Sequence, residues 1–262
     1  MTTLTHRLDR TVVIRAERAT VFRYFTDSAR WAAWWGEGST IEARPGGRLF
    51  VRHPNGIESA GEVIEIDAPS RIVFTYGFVS GHPIPPGSSR VTIQLEPVAS
   101  GTRVRLAHEF ADPAVRDEHV QGWRYQLSVF SNVVADEANA GAADGVDAWF
   151  LAWSEPDAAA REVALARVAT PDVRFRDRFS AIDGMPDLVI HLGAAQRFMP
   201  GLRLQREGDV RHCQGTVLAD WAARTADGQE RARGTNVFVI GPDGLFESVT
   251  GFWSAHPQPS RR

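Results

Sequence analysis

Glu137-Ala-Asn-Ala-Gly-Ala-Ala-Asp-Gly145 interrupts this sequence near its middle. The stretch carries no large apolar side chain and two glycines, so it can neither build a core nor join one. The chain has 262 residues, and a prior of roughly 150 residues per domain leaves one large domain or two smaller ones. The break favours two. The reading is a domain over 1–137, a linker over 138–145, a second domain over 146–255 and a Pro/Ser/Arg-rich tail over 256–262 that reads as loose. No repeat relates the halves.

Upstream of the break, a strand over 10–15 precedes a helix with Thr20 as its expected N-cap and Val21, Phe22 and Phe25 on its apolar side. Trp31, Trp34 and Trp35 form an aromatic cluster. Strand-like runs follow over 48–53, 61–66, 72–78, 90–96 and 102–110, separated by turn signals such as Pro45-Gly46-Gly47 and Pro54-Asn55-Gly56. Val120, Trp123, Leu127, Phe130 and Val134 then recur at steps of three and four, the pattern of one long amphipathic helix. This half predicts an antiparallel sheet with that helix laid across it.

Downstream the order changes. Helices are expected over 146–153, over 156–169 with Ser154 as its cap, and over 186–198, with extended segments over 173–179 and Asp183 in a turn. Four strands close the chain over 202–213, 216–225, 230–240 and 245–253, joined in part by Asp227-Gly228 and Pro242-Asp243-Gly244. Helices first and a curved antiparallel sheet afterwards describe an α+β cone.

Composition excludes much chemistry. Apolar residues at 43% and charged residues at 23% are ordinary for a globular protein, which rules out disorder, collagen and coiled coil. No apolar run approaches the roughly 18 residues needed to span a bilayer. All 29 cations counted as Lys+Arg are arginine. Without lysine there is no P-loop lysine and no Schiff-base lysine; the bias also points to a GC-rich bacterial genome. The net charge of −3 provides no basic field for nucleic acid or anionic membrane. MTTLTHRLDR at the start lacks the order of a signal peptide, and the one cysteine, Cys213, cannot form an internal disulfide, so the expected compartment is the cytoplasm.

Several pieces of the first half fall in a telling order: Trp31-x-x-Trp34-Trp35, Arg44-Pro45-Gly46-Gly47, Gly61-x-Val63, Pro69-x-Arg71-Ile72-Val73-Phe74-Thr75-Tyr76, Gly101-Thr102 and Gly122-Trp123. Together they resemble the activator-of-heat-shock-protein-ATPase branch of the START-like (SRPBCC) helix-grip superfamily. The resemblance implies a curved sheet gripping a C-terminal helix around a hydrophobic ligand cavity. Strand alternation puts His108 on the inward face with Val104, Leu106 and Phe110, and Tyr76 on one face with Ile72, Phe74 and Phe78. Trp31, Trp35, Tyr76, His108 and Trp123 are therefore the expected ligand contacts, a lining suited to a planar, mostly apolar molecule. The competing reading makes His108 a satisfied core residue and the tryptophans core or lid. His53 reads as an exposed-turn residue, and no metal-ligand pattern emerges.

The second half carries Val173-Arg-Phe-Arg-Asp177, Gly184, Phe198-Met-Pro-Gly201, Gly234-Thr235-Asn236-Val237-Phe238 and Asp243-Gly244 ahead of Gly251-Phe252-Trp253. These resemble the SnoaL-like branch of the nuclear transport factor 2-like superfamily, whose relatives include polyketide cyclases, ketosteroid isomerase, dehydratases and proteins without a known reaction. Enolisation beside a carbonyl needs a carboxylate to take the α-proton and donors to hold the oxyanion. Asp177 stands where the resembling isomerases carry that carboxylate, and Asn236, sharing a strand face with Phe238 and Ile240, stands near their oxyanion donor. There the isomerases use a protonated acid, so Asn236 departs from their pattern. His212 and Asp220 form an alternative acid/base pair if Asp220 faces inward, which alternation leaves open because both faces of its strand look buried. Phe238 and Trp253 complete the expected ligand wall. Asp177 also reads as a turn cap or as a partner of Arg176, Arg178 or Arg203.

The expected protein thus binds a small hydrophobic, aromatic or polyketide-like metabolite, with cyclase, isomerase or dehydratase-type proton transfer and no cofactor in the second domain. Two alternatives stand beside it, a non-catalytic sequestering protein and a stress or co-chaperone adaptor. No nucleic acid or membrane partner is expected; a homodimer through the second sheet is.

Overall fold

Apolar residues alternating with polar ones set the strands of the first half. The computed structural model describes residues 3–254, so the tail expected over 256–262 lies outside the described residues. The chain divides into two compact units, Met1–Ala138 and Asn139–Arg262.

In the first unit β1 (His6–Ile14) leads into α1 (Arg18–Arg23) and α2 (Ser28–Trp35), and β2 (Thr40–Ile41) through β7 (Gly101–Phe110) follow as β3 (Arg48–Arg52), β4 (Glu58–Asp67), β5 (Arg71–Phe78) and β6 (Ser89–Val98). They form one antiparallel sheet in the order β1-β7-β6-β5-β4-β3-β2. In β6 the inward row is Ser89, Val91, Ile93 and Leu95, all buried, while Arg90 and Gln94 face out. α3 (Pro113–Ala138) buries Trp123, Leu127, Phe130 and Val134, the stripe its periodicity predicts. Phe130 packs on Tyr24, Phe25 and Trp34 at ring separations of 4.8–5.8 Å. Thr20 caps nothing: it lies inside α1, which starts after Glu17, and the side-chain cap in this region is Asp27, which accepts from Arg30 N at the start of α2.

The stretch expected as a linker over 138–145 is mostly helical. Ala138 ends α3 and α4 (Ala142–Ala152) begins after three intervening residues, since alanines need no core to take up helical dihedrals. α5 (Ala158–Ala166) is capped by Asp157, which accepts from Ala160 N, and not by Ser154. β8 (Ala169–Arg176) and β9 (Ala181–Asp183) stand in place of the extended segments expected over 173–179, α6 (Met185–Phe198) follows, and β10 (Arg203–Cys213), β11 (Thr216–Arg224), β12 (Glu230–Ile240) and β13 (Phe246–Trp253) close the chain. Asp183 sits in β9, paired with Arg176 at 2.6 Å, and not in a turn. The sheet runs β10-β11-β12-β13-β8-β9, with β13 and β8 parallel. Its core gathers Trp149, Phe150, Leu188, Leu192, Val217, Phe238 and Phe246. Both units are α+β.

Candidate functional site

Each unit encloses a cavity walled by aromatic rings. The first, about 470 Å³, is bordered by Trp35 from α2, His53 after β3, Tyr76 and Phe78 from β5, and His119, Trp123, Tyr125 and Gln126 from α3. Three expected contacts, Trp35, Tyr76 and Trp123, meet on this wall. Trp31 does not: it is wholly buried among Phe25, Trp34, Trp35 and Phe74, and its indole N–H donates to Phe50 O at 3.2 Å.

His108 is also off the wall. Alternation correctly turned it inward, yet the protein itself satisfies it. Trp123 Nε1–H donates to its Nδ1 at 2.9 Å, so the neutral ring carries its proton on Nε2, 2.8 Å from Ser89 Oγ. Ser89 in turn donates to Tyr76 O at 2.8 Å. Burial, seconded by nearby His119, pulls the His108 pKa well below 6.5, and at 0% exposure it behaves as a core residue.

Two imidazoles replace it: His53, which is half-buried on the wall and not the exposed-turn residue expected, and His119, which the sequence reading did not single out. His53 continues the inward row Leu49, Val51; His119 lies four residues after Val115 and four before Trp123, on one helix face. Both periodicities were readable. Burial lowers both pKa values. The Tyr76 hydroxyl accepts from Ser59 Oγ at 2.9 Å and lies 3.4 Å from His53 Nε2; burial pushes its pKa up to about 12.

The second cavity, about 440 Å³, is bordered by Trp153, Phe175, Asp177, Phe179, Ser180, His191, Trp221, Asn236, Gly251 and Trp253, among others. Asp177 follows β8 directly, and the parallel pairing sets Arg176 beside Thr250 of β13; across β13, Gly251 faces Asn236 of β12. Asp177, Gly251 and Asn236 thus adjoin over three neighbouring strands. A Cβ on Gly251 would meet Asn236 Oδ1 at 3.1 Å and Asp177 Cβ at 3.4 Å, so the missing side chain keeps the sheet floor open between carboxylate and amide.

Both groups are oriented. Asp177 Oδ1 accepts from Phe179 N at 2.8 Å and Oδ2 from Trp253 Nε1 at 3.2 Å. Asn236 is 4% exposed, and Trp221 Nε1 donates to its Oδ1 at 2.9 Å. An indole N–H can only donate, which fixes the amide flip and leaves the Nδ2 donors for another acceptor. Ser180 Oγ lies 3.2 Å from His191 Nε2 on the opposite element, α6.

Three expected residues stand elsewhere. Val217, Ala219, Trp221 and Ala223 form the inward row of β11, which puts Asp220 on the outer face, where it takes Thr235 Oγ1 and Arg211. His212 holds the β10–β11 turn, its Nε2 accepting from Gly215 N at 2.9 Å, so the His212–Asp220 acid/base pair does not form. Phe238 is core, against Trp149, Phe150 and Phe246. Among the described residues no group of three or more His, Cys, Asp or Glu could hold a metal ion, and no helix is long and apolar enough to cross a membrane.

Residues 15–135 match the family described as Activator of Hsp90 ATPase homolog 1-like protein. This activator-like segment runs from the end of β1 to the last turn of α3. No curated protein matches the chain. Similar solved structures include a SnoaL-like family protein from Agrobacterium tumefaciens, 22% identical over 43% of this chain and 96% of its own, with a TM-score of 0.41. A protein from Mesorhizobium loti is 17% identical over 50% of this chain and 98% of its own, with a TM-score of 0.45. The Aha1 dimer from Colwellia psychrerythraea is 16% identical over 47% of this chain and 91% of its own, with a TM-score of 0.41.

Proposed function

We propose that the chain binds small, largely apolar metabolites and that its second unit moves a proton next to a carbonyl, as a cyclase, isomerase or dehydratase does, with protein groups alone. One observation carries this reading: a carboxylate and an amide, each oriented by an indole N–H, flank a glycine floor in an aromatic cavity. Asp177 takes the proton from the carbon beside the carbonyl. The Asn236 Nδ2–H group donates to the oxygen as charge builds on it, a donor already aimed and costing no reorganisation. Asn236 gives up no proton, so the oxyanion is stabilised as an enolate and not quenched. Ser180 and His191 offer a second proton-handling pair for the step that returns the proton to the product.

Deuterium incorporation into 2-tetralone in deuterium oxide, followed by NMR, tests the reading. The full chain is expected to speed exchange at the α-carbon, and Asp177→Asn to slow it by roughly 100-fold or more, the usual share of a general base. Exchange at the wild-type rate in that variant would sink the assignment. A second reading, binding without turnover, draws on the two N–H groups that already occupy Asp177. It expects 2-tetralone to raise the unfolding midpoint while no deuterium enters.

A further inference from the structure

Among the described residues, Gly61, Gly77, Gly234 and Gly251 lie inside strands without a left-handed backbone. Glycine weakens a strand interior, and its presence there marks a close approach of backbone or of a ligand. Backbone accounts for the first three. A Cβ on Gly61, Gly77 or Gly234 would run into the carbonyl oxygen of Thr75, Pro85 or Phe252, respectively. Gly251 is different. Its Cβ would meet Asn236 Oδ1 at 3.1 Å and Asp177 Cβ at 3.4 Å, with Arg176 O next at 3.9 Å. Neither a dihedral angle nor a backbone contact demands glycine here. What it leaves bare is one point within van der Waals reach of both the carboxylate residue and the amide.

That point faces the second cavity, because residue 251 stands between Val249 and Trp253 on the inward row of β13. Its two neighbours are fastened. Trp221 Nε1 donates to Asn236 Oδ1 at 2.9 Å, Trp253 Nε1 donates to Asp177 Oδ2 at 3.2 Å, and the two indoles pack at 5.3 Å and 87°. A methyl group at 251 would therefore take its space from whatever rests above it. The C–H bond that ionises stands out of the carbonyl plane, so a base at floor level needs the face of the substrate against the floor. Loss of the proton also flattens the α-carbon, so a bare floor fits the enolate better than the ketone. No arginine borders this cavity and Asp177 does, which disfavours a substrate anion.

We infer that Gly251 determines specificity: its bare α-carbon seats the flat CH–C=O edge of an uncharged ketone, α-carbon over Asp177 and oxygen toward Asn236, and shuts out ketones with substituents standing out of the ring plane. The inference rests on the proton-transfer reading of the second unit and adds the shape that unit accepts. Asp177 takes the α-proton, the C–H electron pair becomes the C=C bond of the enolate, and the oxygen takes the charge that Asn236 holds. Reversal after exchange with solvent puts deuterium on the carbon.

Deuterium exchange at C3 of 2-tetralone and of 1,1-dimethyl-2-tetralone, each relative to its rate in buffer, tests this with the full chain. The methyl groups of the second ketone stand off both ring faces beside the carbonyl. The flat ketone is expected to exchange at least about tenfold faster, the usual discrimination from one ill-fitting methyl. Gly251→Ala is expected to slow the flat ketone to the level of the dimethyl compound. A glycine with a merely structural role would slow both alike and keep their ratio, and that result overturns the inference. So does equal exchange of the two ketones by the wild-type chain, a comparison that stands even if the variant fails to fold. Calorimetric titration with the same ketones separates the seat from the proton transfer. Tighter binding of the flat ketone, lost in Gly251→Ala, while no deuterium enters either compound, keeps the seat and removes the proton transfer. Equal exchange of both ketones does the reverse. Binding of neither ketone overturns both.

Discussion

Three imidazoles in the first unit, His53, His108 and His119, have pKa values pulled below 6.5 by burial. In the unfolded chain each takes a proton near pH 6.5; in the folded unit each refuses it. The unfolded state then binds more protons, so stability falls as pH drops below about 6.5 and continues to fall until the folded pKa values are reached. Val115 O and Glu118 pull His119 the other way but less strongly. The unfolding midpoint of this unit is expected to decline between about pH 7.5 and 5.5, and thermal melts across that range check it; a constant midpoint contradicts the picture. Glu137 acts in a lower window. The Arg30 guanidinium, bonded to both its oxygens, and the Tyr24 hydroxyl hold its pKa below 4.5, so its contribution is present above that value and lost as pH falls through the depressed one. With side chains about one-third exposed, the ion pair contributes well under about 1 kcal/mol. At this scale, sequence alone distinguished poorly between a histidine on a wall and one inside it. His108 and His119 both follow their apolar periodicities; what separates them is whether Trp123 and Ser89 arrive to bond the ring.

Elements show a different limit. The helix stripe of α3 and the hairpins of the second sheet follow from local patterning, because a helix or hairpin forms among residues near in sequence. The inward face of β11 does not follow, since Leu218 and Ala222 accompany Thr216 and Asp220 on one row while Val217, Ala219 and Trp221 form the other, so each row has apolar side chains to bury. The bulkier row turned to the core and carried Asp220 out. α5 shows how a charged residue can hold elements together unseen by such patterns. Arg161 is 3% exposed and donates to the carbonyls of Glu155, Pro156 and Val189, binding the α4–α5 connection and α6 to its helix. Arg161→Leu removes these charge-assisted hydrogen bonds and is expected to destabilise the second unit by about 2 kcal/mol. Urea unfolding followed by tryptophan fluorescence measures this, and an unchanged midpoint would contradict the role.

At the scale of the whole molecule, each unit carries its own apolar cluster, one around Trp31, Phe74 and Phe130 and the other around Trp149, Phe238 and Phe246. Self-sufficient cores of this kind allow separate folding. Fragments 1–138 and 139–262 are each expected to give near-ultraviolet circular dichroism with native aromatic signal. A fragment lacking it would show that its core needs the other unit. The division into two was legible because the change in element order straddles a stretch too small in side chains to join cores. Its width was not: four of the residues counted as linker are the first turn of α4, since alanine-rich chain without apolar period fits either state.

Composition and apolar period by themselves determined the α+β class, the two halves, the arginine-only cation chemistry and the aromatic character of both cavity walls. Each is a property of a residue or of its near neighbours in sequence. Tertiary structure alone decided which polar groups border a cavity. The parallel approach of β8 to β13 brings Asp177 beside Gly251 and Asn236, and the crossing of α3 over the sheet satisfies His108 while leaving His119 Nε2 without a donor. Those outcomes depend on contacts between residues tens of positions apart, where hydrogen-bond satisfaction and the space available to a side chain are set by whichever strand or helix packs there.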